Sequence, residues 1–137
     1  MDTNPLDPLD PLVPLAERTA LVIVPDLFFS TKIAEVARHV GVTVRLAPRL
    51  ADIPAAYAAC GAAAPRVAFI DIASLGVDTA AAIDALRAVS GASLRIIAFG
   101  SHVDTAAFNA ADAAGADLSL PRSKFVAMLP QLLRGEV

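Results

Sequence analysis

Cysteine is nearly missing from this chain: Cys60 is the single one among 137 residues. No internal disulfide can form, and no Cys/His cluster has the spacing of a zinc site. Cys60 itself reads as a small, buried or half-buried apolar residue on a helix. Aromatic residues are scarce too, at 5% of a chain that is 56% hydrophobic. The core must therefore be built from Ala, Val, Ile and Leu, with Phe28, Phe29, Phe69, Phe99, Phe108 and Phe125 as its large members. Basic charge is in short supply: the net charge is -3 and no Lys/Arg stripe exists to neutralise phosphates, which argues against nucleic acid as a direct partner. No apolar run approaches the roughly 18 residues of a membrane span, and no basic n-region followed by an apolar h-region marks a secretory signal. A cytoplasmic protein with no membrane contact is expected. Missing motifs narrow the chemistry further. No Gly-x-Gly-x-x-Gly follows the first apolar run and no Walker Gly-Lys-Ser/Thr is present, so standard dinucleotide or P-loop binding is disfavoured. Without a Gly-x-Ser-x-Gly elbow, the neighbours Ser101, His102 and Asp104 do not make a hydrolase triad.

What is present begins with an unusual leader. Asn4 to Leu15 repeats a Pro-Leu-Asp step every three residues. Proline at that spacing favours a polyproline II strand, with prolines along one edge and leucines along another. Residues 1–18 are expected to form a Pro/Leu/Asp-rich arm, docked on its own domain or on a partner if it is not simply loose, and 19–137 a single domain. A chain of this size buries roughly two-thirds of its unfolded surface in one core.

From Thr19 the pattern is regular. Ala20–Val24 reads as a buried strand and Ser30–Val40 as a helix, with Ile33, Val36, Ala37 and Val40 at helical spacing and Gly41 as its stop. Val42–Leu46 is a second strand, followed by an Ala-rich helix from Asp52 to Cys60. Val67–Asp71 leads through a loop with Ser74 and Gly76 into a helix over Thr79–Val89. Leu94–Phe99 precedes a helix over Thr105–Ala114, capped by Asp104, and Leu118–Leu120 precedes a closing helix from Ser123 to Leu133. Strand and helix alternate five times, which demands crossover connections and a parallel sheet covered on both faces. The predicted fold is α/β, a flavodoxin-like (βα)5 doubly wound five-stranded sheet of order 2-1-3-4-5.

Such a sheet gathers functional groups at the carboxyl ends of its strands, around the point where the strand order reverses. That edge collects Asp26, Asp71, Gly100-Ser101-His102 and Pro121-Arg122-Ser123. Two carboxylates meeting there repel, and a divalent cation such as Mg2+ reconciles them. A carboxylate so placed can take a phosphoryl group as nucleophile, and that carboxylate is Asp71. Of the adjacent Phe28 and Phe29, both pack inward through a bent loop, or one is left exposed at the mouth of the crevice.

Over roughly Ala20 to Leu133 the chain resembles the receiver domain of two-component response regulators, the CheY-like fold. The resemblance rests on Leu21-Val22-Ile23-Val24-Pro25-Asp26, on Val67-Ala68-Phe69-Ile70-Asp71 and on Ala114-Gly115-Ala116-Asp117. It implies Asp71 as phosphoacceptor and Asp26, Asp71 and the Ala73 carbonyl as Mg2+ ligands. It also implies an output or homodimer face over 105–133, with Phe108, Asp112, Lys124 and Phe125 as interface candidates. The departures from the family pattern are equally specific. Pro25 replaces the first acid of the pair, Gly100 the switch Thr or Ser, and Arg122 the lysine, and Ser123 follows it in place of proline. Arg keeps a positive charge but presents a planar fork in place of a point charge. The expected function is an atypical receiver-like module that presents a surface to a protein partner in signalling, with impaired or no phosphorylation switching and without enzymatic turnover. The alternatives are a nucleotide-, anion- or small-molecule-binding module using Gly100, Ser101, His102 and Arg122, and a working single-domain response regulator phosphorylated on Asp71.

Overall fold

The apolar runs become five strands, β1 (Thr19–Ile23), β2 (Thr43–Leu46), β3 (Val67–Asp71), β4 (Arg95–Gly100) and β5 (Leu118–Pro121). Between and after them lie α1 (Leu27–Val40), α2 (Ile53–Ala58), the single turn α3 (Ile72–Leu75), α4 (Thr79–Ser90), α5 (Thr105–Ala114) and α6 (Arg122–Arg134). This computed structural model describes residues 18–61 and 64–136. The arm expected over residues 1–18 lies outside the described residues except for Arg18, whose guanidinium donates to the Arg134 carbonyl at 2.9 Å. All strand pairs are parallel and the order is β2-β1-β3-β4-β5, as the alternation of patterns predicts.

Alternation along each strand divides the core into two layers. Ala20, Val22, Phe69, Ile97 and Phe99 face one side, where Phe29, Ile33 and Ala37 of α1 and Phe125, Leu129, Leu132 and Leu133 of α6 close over them. Leu21, Ile23, Ala68, Ile70, Ile96 and Ala98 face the other, under α2, α4 and α5. The near-continuous apolar character of β1 and β3 follows from this burial on both faces. On the α1/α6 side the aromatic rings gather: Phe99 and Phe125 stack at 4.1 Å, Phe29 stacks on Phe99 at 5.0 Å, and Phe69 meets Phe125 edge-on at 5.1 Å. Offset stacking and edge-on contact are the favoured arrangements of rings that carry a quadrupole.

Two polar devices fix the ends of the elements. Gly41 takes the left-handed conformation (φ 76°) that closes α1, donating its N–H to the carbonyls of Ala37 and Arg38. At the amino ends of β4 and β5, Arg87 of α4 donates to the carbonyls of Gly91, Leu94 and Gly115 and to Asp117 Oδ2. The same Asp117 oxygen accepts the Ile96 N–H at 2.7 Å.

The structure corrects the sequence expectations in three places. The first helix begins at Leu27, not Ser30, because Asp26 caps it by accepting from the N–H groups of Phe28 (3.0 Å) and Phe29 (3.4 Å). With both phenylalanines in a first helical turn, about 100° apart, only Phe29 reaches the core; Phe28 is 81% exposed and is no core member. The stretch read as a loop with Ser74 and Gly76 holds the turn α3.

Candidate functional site

Asp71 ends β3, and its side chain folds back to cap the turn that follows. Its Oδ1 accepts from the Ala73 N–H at 3.1 Å and the Ser74 N–H at 3.4 Å, while Oδ2 accepts from Ser74 Oγ at 2.8 Å. The carboxylate is 1% exposed, so these donors replace the water it has lost. Arg122, at the start of α6, brings Nη2 to 3.7 Å from Oδ1, an ion pair without a hydrogen bond. Its guanidinium also lies 5.5 Å above the Phe29 ring, the outer member of the aromatic stack. The core thus supports the cation that faces the acid.

Around this acid the other residues singled out from sequence fall into place. Gly100, Ser101, His102 and Arg122 line one open depression of about 380 Å³ together with Pro121 and Ser123. Asp104 caps α5, accepting from the Ala107 N–H at 3.1 Å, as its position predicts. The Ser101 side chain accepts from the Val103 N–H at 3.4 Å, a bond within its own turn. At Gly100 a Cβ would be in ordinary van der Waals contact, 3.4 Å from Ile72 Cβ and 3.6 Å from the Phe108 ring, so the position of a switch hydroxyl has apolar neighbours.

Of the four interface candidates, Asp112 and Lys124 are exposed and Phe108 is half-buried. Phe125 is not on the surface. It is wholly buried in the aromatic stack, because the first turn of α6 points it at β3 and β4. The sequence marks Ser74 only as a loop residue and Phe29 only as a core or crevice-mouth ring, not as partners of Asp71 and Arg122. A serine three residues beyond an aspartate is the one signal for the first, since an N-cap can reach the side chain as well as the N–H at that distance.

The acids do not offer themselves to a metal. Asp26 spends Oδ1 on the α1 cap, and Asp71 faces three N–H or O–H donors and a guanidinium. Among the described residues no three His, Cys, Asp or Glu side chains converge on one point. Mg2+ takes near-octahedral oxygen ligands and is repelled by a neighbouring cation, so this donor set does not fit it.

No protein-family model matches the sequence, and neither does any curated protein. Solved structures do. A response regulator receiver protein from Burkholderia phymatum is 19% identical, with 88% of this chain and 97% of that one covered and a TM-score of 0.66. A signal receiver domain from Bermanella marisrubri is 21% identical over 87% and 96%, with a TM-score of 0.69. An orphan response regulator of H. pylori is 10% identical over 90% and 100%, with a TM-score of 0.70. The chain therefore has the receiver-domain fold. At such identities the likeness speaks for the fold alone.

Proposed function

We propose that this protein is a receiver-like signalling module that acts by presenting a surface to a protein partner, without enzymatic turnover and without switching by phosphorylation. The observation that carries the reading is the engagement of both Asp71 oxygens. A nucleophilic carboxylate must expose a lone pair to the incoming phosphorus. Here Oδ2 is held by Ser74 Oγ at 2.8 Å and Oδ1 by two N–H groups with Arg122 alongside, and the buried carboxylate turns almost none of its surface to solvent. Gly100 and the apolar atoms around it supply no hydroxyl to follow a phosphoryl group. The receiver fold of the solved structures supports the signalling half of the proposal.

The test is incubation of the intact chain with Mg2+ and a small acyl phosphate, followed by intact-mass measurement before and after base treatment. The expected result is no labile phosphate adduct. An adduct on the native chain that disappears in Asp71→Asn would establish the working response regulator instead. One observation favours a second reading, an anion-binding module: Ser101, His102, Arg122 and Ser123 share one depression. A thermal shift with inorganic phosphate or a nucleotide, lost in Arg122→Ala, would support it.

A further inference from the structure

Among the described residues, the large apolar side chains exposed to solvent are not scattered. Leu27, Phe28, Leu46, Val77 and Val103 all follow or end a strand at its carboxyl edge: after β1, on β2, after β3 and after β4. Phe28 and Val77 are 81% and 97% exposed, and Leu27 and Phe28 line an open groove of about 520 Å³ with Thr31, Lys32 and Glu35. Single exposed apolar residues need no explanation, but a rim confined to one end of the molecule marks a contact surface.

The electrostatics of that end select what covers it. Helices α1, α5 and α6 all open there, with their positive dipole ends outward. Asp26 and Asp104 are committed to capping α1 and α5. Helix α6 has neither a side-chain cap nor an acid in its first turn, and it carries Arg122 and Lys124 there instead. His102 and Lys32 add basic groups, against Glu35 and Asp78. An acidic, leucine-bearing segment is the complement of this surface.

The chain contains such a segment. Before Arg18 it has Asp2, Asp7, Asp10 and Glu17 and no Lys or Arg, with Leu6, Leu9, Leu12 and Leu15 spaced by three. Extended at about 3.1 Å per residue, the stretch from Arg18 back to Leu9 spans ~28 Å. The five residues of β1 cover only ~16 Å at about 3.3 Å each. Leu6 and Leu9 can therefore reach the carboxyl edge from the amino edge where the arm is attached. Tethering gives an effective concentration on the order of 1 mM, so a weak contact suffices to hold the arm there.

We propose that the Pro-Leu-Asp arm folds over the carboxyl edge of its own sheet, placing Leu6 and Leu9 against Phe28, Val77 and Val103 and its aspartates toward Arg122 and Lys124. This does not depend on the chemistry of Asp71. The test uses the full ¹⁵N-labelled chain with Asn4→Cys carrying a nitroxide and Cys60→Ala, or Cys60→Ser if the alanine disturbs the amide spectrum. The amides of Phe28, Val77 and Val103 are expected to lose most of their intensity, while that of Ser93, at the opposite end, keeps it. Leu6→Ser/Leu9→Ser should restore the rim signals. Equal loss at Ser93, no loss at the rim, or loss that survives the serine substitutions would overturn the proposal. So would equal rim loss in a mixture of nitroxide-bearing ¹⁴N chain with ¹⁵N chain that carries no nitroxide, which would give the contact to a second copy.

Discussion

Replacing Asp71 by alanine separates a carboxylate that is held from one that is merely crowded. Loss of the cap on α3 costs about 1 kcal/mol, and loss of the charge-assisted bond from Ser74 costs about 1.5 kcal/mol or more. The Arg122 pair adds about 0–1 kcal/mol, because that arginine side chain is 45% exposed and screened. Removing a buried charge returns part of this, which leaves a net destabilisation of about 2 kcal/mol. Asp71→Asn keeps a side-chain acceptor for the Ala73 and Ser74 N–H groups and stays within about 1 kcal/mol of the native chain. Ser74→Ala leaves Oδ2 without its donor and costs about 1–2 kcal/mol. The double variant then shows a coupling of about 1 kcal/mol. Urea denaturation followed by far-ultraviolet circular dichroism reads these differences, since the chain has no Trp and a single Tyr. An acid kept for a metal suffers repulsion from its neighbours while the metal is absent, so its removal stabilises. If Asp71→Ala proves as stable as the native chain, or more so, the locked carboxylate is refuted.

Two further outcomes concern the packing around the site. Restoring a hydroxyl with Gly100→Thr forces two atoms beyond a Cβ that already touches Ile72 and Phe108; overpacking of this kind costs about 1–3 kcal/mol, visible as a lowered urea midpoint with an unchanged slope. Burial pushes the Cys60 thiol up from its ordinary value. The folded state therefore holds that proton more tightly. Stability is intact below the unfolded thiol's value of about 8.5 and declines as pH rises through it toward the folded value. Cys60→Ala should flatten that alkaline decline relative to the native chain in pH-dependent denaturation.

The sheet was legible because burial on both faces writes itself as uninterrupted apolar runs, and β1, β3 and β4 are such runs. The pocket was legible for a related reason: in a parallel sheet the residue after each strand lands on one edge, so Gly100, Ser101, His102 and Arg122 could be brought together by counting. What the counting could not show was direction. Asp26 and Asp71 stand at strand ends where acids could converge, yet each is also one residue before a helical turn, and the local cap satisfies it at short range. Phe125 was misplaced for the same reason: its position in α6 fixes its height along the helix, but only the packing against Phe99 fixes which way it faces. The bond from Ser74 to Asp71 was not legible because a serine in a turn has many uses and only the side chain of Asp71 selects one.

The Arg87 and Asp117 staple has a mechanical consequence. It fastens the turns before β4 and β5 to α4 at the amino end of the sheet, through three carbonyls, a carboxylate and the Ile96 N–H. At the opposite end the loops are held by local caps and by the longer contact of Arg122 with Asp71. The molecule is therefore clamped at one end and open at the other, like a book bound along its spine. Slow hydrogen exchange is expected at Ile96 and fast exchange in the turn of Ser101 and His102.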